Sequence, residues 1–169
     1  MMNASVTTPN PTPFVTVFLD LLDRSSELLG TNLPPIIQIE TLRQLPIGTF
    51  GRSLADFLDQ HNLQPFTTGP RRKQLHDVVH VITGYDTDPI GEAEVQAFLL
   101  GSKFRIGHLL IGVGLLRIIH KQNRSLNISW DALWRAYQRG RNSQLNVGTW
   151  QPELLWEMPL TQVQEFYQV

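Results

Sequence analysis

Two histidines, an aspartate and a glutamate stand close together in the stretch HDVVHVITGYDTDPIGE, which covers residues 76–92. His76 and His80 are four residues apart, so on an α-helix their imidazoles lie on one face, one turn apart. Such a pair is a familiar chelate for a metal ion and occurs with a glutamate in zinc peptidases. Asp77 is rotated by about 100° from His76 and about 60° from His80. Asp77 could therefore be a third ligand, an acceptor that orients an imidazole, or a base beside the metal.

Glu92 reaches the same region if the chain reverses after the histidine helix. Gly84 and the residues 86–89, DTDP, predict that reversal. Glu92 would then lie in the first turn of the returning helix, where the helix dipole favours a carboxylate, and an antiparallel pair would bring it towards His80. Two imidazoles with one or two carboxylates leave coordination positions open, which is typical of a catalytic site. The alternative is a pair of surface or hydrogen-bonded core histidines, and spacing alone leaves both interpretations open.

The acidic turn also has a partial calcium-loop register. Asp86, Asp88 and Gly91 fall at positions 1, 3 and 6 of such a loop. Ile90 and Ala97 fall at positions 5 and 12, where the loop needs oxygen ligands. The two aspartates are therefore interpreted as turn and helix N-cap residues.

The elements that must position these residues are all predicted to be helical. Residues 1–13 are rich in Pro and Thr and indicate a disordered N-terminal lead-in. The remaining residues, 14–169, predict a single all-α domain with antiparallel helix pairs, because no alternating strand pattern appears. Helical spacing covers residues 14–29, 36–45, 51–61, 71–83, 90–101, 104–119 and 129–142, with Ser129 as an N-cap and one or two short helices in 150–169.

Composition narrows the class of protein. Hydrophobic residues make up 41% and charged residues 17%, which favours a globular fold. Fourteen basic and fifteen acidic residues give a net charge of −1, which argues against nucleic acid as a partner. The absence of cysteine excludes disulfides, thiolate metal ligands and cysteine nucleophiles. The low charge and the apolar C-terminal half predict a homodimer.

Targeting signals and membrane spans are not evident in the sequence. The first residues, MMNASVTTPNPTP, have neither the apolar region of a secretory signal nor the Arg of a transit peptide. The most apolar stretch, LLIGVGLLRII at 109–119, falls short of the ~20 residues that span a bilayer and contains Arg117. We expect a protein of the bacterial cytoplasm that associates peripherally with the membrane. Four tryptophans are either half-buried core residues or the edge of a membrane or subunit interface: Trp130, Trp134, Trp150 and Trp156.

The sequence has the signature H-D-x-x-H followed by eleven residues and then E. This signature resembles that of the coenzyme Q (ubiquinone) biosynthesis family often called coenzyme Q protein four. The resemblance extends over about residues 14–168. It includes GTFGRSLADFLDQHNLQP, ITGYDTDPIGEAEVQAF and WRAYQRGRNSQLNVGTWQPELLWEMPLTQVQ. One departure is visible, since many members carry an aromatic pair in the motif where this chain has Val78 and Val79.

This resemblance implies an all-helical fold that binds long isoprenoid tails and one divalent metal ion. Carried over by position, the metal ligands are His76, Asp77, His80 and Glu92. Their donor atoms suit zinc, iron or manganese, and the carboxylates also accept magnesium. The family's proposed chemistry is oxidative decarboxylation at ring carbon one of a polyprenylated hydroxybenzoate. A scaffold role among other quinone-biosynthesis proteins at the membrane is implied alongside it.

A groove for the isoprenoid chain is predicted between the helices at 90–101 and 104–119. Burial of the chain would contribute about 0.8 kcal/mol per methylene, although ordinary core packing explains the same apolar residues. The predicted lipid contacts are Val95, Phe98, Leu99, Leu109 and Val113, and Lys103 and Arg105 are candidates for binding an anionic head group.

Three functions follow from these residues. The first is a metal-dependent oxidative decarboxylase of a prenylated aromatic acid, in which Asp77 or a water molecule transfers protons. The second is a non-catalytic scaffold or carrier that binds a prenyl lipid or prenylated quinone precursor for other enzymes. The third is a helical metal-dependent hydrolase, which ranks last because His61, His108 and His120 form no second His-Asp pair.

Overall fold

Helices provide the regular structure of residues 33–102 and 129–169, the parts of the chain that the computed structural model describes. No β-strand occurs in these two ranges, which confirms the all-α prediction. The helices expected over 14–29 and 104–119 lie outside the described residues. The described helices are α1 (Ile39–Arg43), α2 (Phe50–Gln60), α3 (Arg71–Gln74), α4 (His76–Thr83), α5 (Pro89–Ser102), α6 (Trp130–Asn142) and α7 (Leu160–Tyr167), with a 3-10 turn at Pro152–Leu154.

The histidine helix is shorter than the sequence predicts. A continuous helix over 71–83 is wrong, because the backbone departs from helical geometry at Leu75, with φ −93° and ψ 6°. Just before this break, the buried Gln74 amide binds two loops. Its Nε2 donates to the Gly69 carbonyl at 3.2 Å, and its Oε1 accepts the Ile36 N–H at 2.9 Å. These bonds anchor α3 to the preceding loops, and α4 begins after the break at Leu75.

The turn between α4 and α5 forms as the sequence predicts. Gly84 ends α4 in the left-handed conformation, with φ +73°, and its N–H donates to the His80 carbonyl at 2.7 Å. Asp88 accepts the Gly91 N–H at 2.7 Å and so acts as the N-cap of α5. The Asp86 side chain accepts the N–H of the next residue. The two aspartates therefore hold the turn and the helix start.

All eight residues of α4 are buried, including its polar ones. The helix contributes to one hydrophobic cluster, in which α2 and α5 also take part. Because α4 is surrounded on all sides, its histidines must find partners inside the protein. The apolar residues with less than 1% exposure are Phe50, Leu54, Ala55, Leu58, Leu75, Val78, Ile82, Val95, Phe98 and Leu145.

The C-terminal segment binds the start of α2 through its backbone. The Phe50 N–H donates to the Met158 carbonyl at 2.8 Å, and the Leu160 N–H donates to the Gly48 carbonyl at 3.0 Å. An isolated antiparallel bridge between Thr49 and Pro159 lies between these bonds. This pairing fixes α7 beside α2 and α4.

The four tryptophans divide between core and surface. Trp150 is buried against Phe50, and Trp156 is partly buried beside the same ring. Trp130 and Trp134 on α6 are 73% and 59% exposed. Within the described ranges, no helix combines the length and the apolar character that a membrane span requires.

Helices α5 and α6 approach each other backbone to backbone. A Cβ atom added at Gly140 would lie 1.9 Å from the Phe98 carbonyl oxygen, and one added at Gly101 would lie 2.1 Å from the Tyr137 carbonyl oxygen. Only glycine permits such distances, so these two residues set how closely the helices pack. The contact matters for function because α5 also carries Glu92.

We expect Gly140→Ala to lower the free energy of unfolding by about 1–3 kcal/mol, because the added methyl group forces the two backbones apart. This loss has to exceed the helix-propensity gain of about 1 kcal/mol that alanine brings. Chemical denaturation measures it. Gly148→Ala is the matched control, since its added Cβ would meet its nearest atom, Asn146 Oδ1, at 3.5 Å. Equal stability of the two variants would contradict the close packing.

Candidate metal centre

Three potential ligand atoms meet between α4 and α5. Oε1 of Glu92 lies 3.1 Å from Nε2 of His76 and 3.2 Å from Nε2 of His80. The two Nε2 atoms are 3.3 Å apart. The three side chains are nearly closed to solvent, with 9%, 0% and 6% exposed for His76, His80 and Glu92. They form the one group of three or more ligand residues that residues 33–102 and 129–169 contain.

Local structure explains why these side chains meet. The four-residue spacing on α4 brings the imidazoles together edge to face, with centroids 4.8 Å apart and the rings at 76° to each other. The turn capped by Asp88 then places Glu92 in the first turn of α5. The prediction that the reversal returns Glu92 to His80 is confirmed by the 3.2 Å distance.

The orientation of the His80 ring is fixed from both sides. Its Nδ1 lies 3.1 Å from the carbonyl oxygen of Tyr85, which can only accept a hydrogen bond. The neutral ring therefore carries its proton on Nδ1 and directs the lone pair of Nε2 at the cluster. The Phe57 ring stacks on the imidazole, with centroids 5.9 Å apart and planes at 22°. Metal-binding histidines commonly donate the second ring N–H in this way.

The separations among the three atoms fit a divalent metal ion. Bonds of about 2.0–2.2 Å place neighbouring ligand atoms about 3.3–3.6 Å apart in a tetrahedron and about 2.8–3.1 Å apart in an octahedron. The observed distances of 3.1, 3.2 and 3.3 Å lie at the junction of these ranges. Three protein ligands also leave at least one coordination position open.

The charges of the cluster favour a bound cation. Burial alone would raise the pKa of Glu92, but its interactions with the imidazoles of His76 and His80 outweigh burial and lower that pKa to about 2. Burial likewise opposes protonation of His76, yet the hydrogen bond and charge of Glu92 raise the pKa of this imidazole. A proton is thus held where lone pairs converge, and a metal ion would take its place.

Asp77 lies beside this cluster but is not one of its three members. The residue is buried, at 5% exposure, and burial raises the pKa of its carboxyl group. The charges of His76 and His80 act in the opposite direction. Its assignment as a fourth ligand or as a proton-transfer group stays a prediction.

Three of the five predicted lipid contacts lie within the described residues. Val95 and Phe98 are 0% exposed and Leu99 is 7% exposed, and all three belong to the hydrophobic core. Leu109, Val113, Lys103 and Arg105 lie outside the described residues. The isoprenoid groove and its head-group site therefore stay predictions.

A cleft on the other side of His80 was not anticipated from the sequence. It has a volume of about 330 Å³, and its lining includes His80, Gly84 and Tyr85. At its edge, His61 Nε2 lies 3.2 Å from Asp86 Oδ1, and His61 Nδ1 lies 2.8 Å from the Phe57 carbonyl. The sequence also gave no indication of the Tyr85 carbonyl as the partner of His80, because any residue type supplies a carbonyl.

A solved structure from Nostoc punctiforme, of a protein whose name refers to ubiquinone biosynthesis, has a similar fold. The TM-score is 0.67 at 19% sequence identity, and the match covers 93% of this chain and 82% of the other. At this identity the likeness concerns the helical fold alone.

Curated relatives are more similar in sequence. The ubiquinone biosynthesis protein COQ4 homolog, mitochondrial, of Xenopus tropicalis is 30% identical over 132 residues, which is 64% of this chain and 43% of that protein. The mouse homolog is 28% identical over 146 residues, 76% of this chain and 53% of that protein. The chain thus spans about half the length of the curated relatives it matches.

A family model matches residues 34–169, which is most of the chain and includes the whole metal centre. The match agrees with the family resemblance of the H-D-x-x-H-x11-E signature at residues 76–92. The chain therefore belongs to the family described as Coenzyme Q (ubiquinone) biosynthesis protein Coq4.

Proposed function

We propose that this chain is a metal-dependent protein of prenylquinone biosynthesis that binds a polyprenylated precursor and carries out its oxidative decarboxylation. The observation that supports the proposal most directly is the buried cluster of His76, His80 and Glu92. The proposed pathway is based on the names of the relatives, which refer to ubiquinone biosynthesis. The substrate class is a hydroxybenzoate with a long isoprenoid chain.

The three residues of the cluster would hold the ion, with one carboxylate charge and two neutral imidazoles. A divalent ion held there would act as a Lewis acid towards an oxygen of the substrate. Imidazole donors suit zinc, iron and manganese, and the carboxylate also suits magnesium. Burial strengthens the electrostatic interactions inside the site because little water screens them.

Asp77 is the residue that we assign to proton transfer. Its carboxyl is buried next to the cluster, and burial raises its pKa above the ordinary value, which favours the protonated form that a proton donor requires. In the proposed reaction the ring carboxyl leaves as carbon dioxide and a hydroxyl takes its place. The step balances with dioxygen and an external donor of two electrons and two protons: one oxygen atom forms the ring hydroxyl and the other leaves as water.

The second candidate is a non-catalytic carrier or scaffold that presents the prenyl lipid to other quinone-biosynthesis proteins. The burial of the cluster favours it, because side chains with 0–9% exposure offer a substrate little access. The hydrolase alternative ranks below both, since the described ranges contain no second group of metal-ligating residues.

Partners and location are part of the proposal. We expect a peripheral membrane association, a homodimer and contacts with other proteins of quinone biosynthesis. The exposed Trp130 and Trp134, one turn apart on α6, are suited to such a surface. The relatives are named as mitochondrial, whereas we propose the bacterial cytoplasm for this chain.

Removal of one ligand should empty the metal centre. We expect His80→Ala and Glu92→Gln to lose bound metal, with affinity for zinc at least about 100-fold weaker, because each removes one of three ligands. Elemental analysis and competition with a chelating dye measure the change. His61→Ala is the matched control, since this histidine contacts Asp86 and lies outside the cluster. Metal content equal to wild type in His80→Ala would refute the site.

The metal-free protein should lose stability in acid through Glu92. This carboxyl has a pKa of about 2 when folded, against an ordinary value of 4.5. Its contribution, on the order of 3 kcal/mol at about 1.4 kcal/mol per pKa unit, is complete above pH 4.5 and lost as the pH falls towards 2. His76, with a raised pKa, contributes stability below pH 6.5 that is lost as the pH rises.

Denaturation of metal-free protein across this pH range tests the linkage. The wild type should be most stable between about pH 4.5 and 6.5, and Glu92→Gln should show a flatter profile on the acid side. Parallel profiles for the two proteins would mean that Glu92 is not paired with the histidines.

A turnover assay distinguishes the enzyme hypothesis from the carrier hypothesis. We expect metal-loaded protein to release labelled carbon dioxide from a prenylated hydroxybenzoate labelled at its carboxyl, given oxygen and a reductant. Asp77→Asn should keep its metal and its affinity for the substrate but lose at least about 100-fold in rate, because proton transfer contributes about 10²–10⁴-fold. Tight binding of the substrate without carbon dioxide release from the wild type would establish the carrier instead.

A further inference from the structure

Arg139 on α6 joins two sides of the turn that follows the histidine helix. Its Nη1 donates to the Thr83 carbonyl at 2.7 Å, in the last turn of α4. Its guanidinium carbon also lies 5.3 Å from the centre of the Tyr85 ring, within cation–π distance. One side chain therefore contacts the residues before and after Gly84.

The backbone between these contacts turns at Gly84. Gly84 has a φ of +73°, its N–H donates to the His80 carbonyl at 2.7 Å, and an added Cβ would meet no atom within 4 Å. Glycine also has the widest conformational freedom of any residue. The next carbonyl along the chain, that of Tyr85, accepts the proton on His80 Nδ1 at 3.1 Å. The position of that oxygen depends on how the turn is held.

We propose that Arg139 is a positioning residue of the metal centre. By holding Thr83 and Tyr85 together, it keeps the Tyr85 carbonyl opposite His80 Nδ1 and so fixes which nitrogen of His80 carries the proton. A neutral imidazole has one proton for two nitrogens, and a proton on Nε2 removes the lone pair that a metal requires. Without Arg139 the turn relaxes and His80 populates the form that does not bind a metal.

A second side chain provides a matched comparison. Gln164 on α7 donates to the Ile82 carbonyl at 2.9 Å, one residue before the carbonyl that Arg139 binds. Both side chains satisfy carbonyls at the end of α4 from distant parts of the chain. Arg139 also contacts Tyr85 across the turn. Loss of Gln164 therefore reports the cost of an unsatisfied helix end alone.

The first measurement is made on metal-free protein at alkaline pH. Long-range proton–nitrogen NMR of protein labelled at histidine identifies the nitrogen of His80 that carries the proton. We expect the proton on Nδ1 in wild type and Gln164→Leu, and a mixture of both forms in Arg139→Met. Arg139→Lys, which keeps a charged donor, should restore most of the Nδ1 form.

The second measurement is the dissociation constant for zinc alone. Arg139→Met should bind zinc about 10–100-fold more weakly than Gln164→Leu, the range found for residues that orient metal ligands. Arg139→Met with an unchanged His80 proton position and affinity within about twofold of Gln164→Leu would overturn the proposal. If Arg139→Met does not fold, Tyr85→Leu replaces it, and an unchanged proton position there would overturn the proposal equally.

The positioning role of Arg139 rests on the proposed metal centre, and the experiments distinguish the failure of one from the failure of the other. A shifted His80 proton in Arg139→Met together with a wild type that binds no metal would refute the centre and support the positioning role. Zinc binding by the wild type, with no effect of Arg139→Met on the His80 proton or on the affinity for zinc, would support the metal centre and refute the positioning role.

Discussion

Two imidazole nitrogens and a carboxylate oxygen lie within 3.3 Å of one another in the interior, and the surrounding structure depends on satisfying them. Three lone pairs directed at one point repel one another unless a proton or a metal ion lies between them. Burial makes an unpaired charge there expensive, so the cluster favours a bound proton or metal ion. The caps and turns around α4 and α5 can be understood as means of holding the three side chains at this distance.

The sequence predicts the part of this arrangement that follows from local periodicity. The spacing of His76 and His80 places them on one helix face, and the capped turn returns Glu92 to them, because both features depend on residues close in the chain. The contacts of Arg139 could not be predicted in this way. Its hydrogen bond joins residues 56 positions apart and ends on a backbone carbonyl, which any residue type would supply.

The structure shows where the two valines of the motif lie. Many family members carry an aromatic pair at these positions, and the sequence suggests a change in the wall of a pocket. Val78 and Val79 are 0% and 2% exposed and belong to the hydrophobic core, on the helix that carries both histidines. The substitution at these two positions therefore lies within the core packing of α4.

Burial and open coordination impose opposite demands on the metal centre. Three protein ligands leave room for a substrate oxygen, yet the ligand side chains are almost closed to solvent. The cleft beside His80 does not relieve this conflict, because its lining includes His80 and Tyr85 but neither His76 nor Glu92. The Nδ1 of His80 faces Tyr85, while its Nε2 points towards the cluster. In the proposed function, a substrate would have to approach an ion held there from a side other than this cleft.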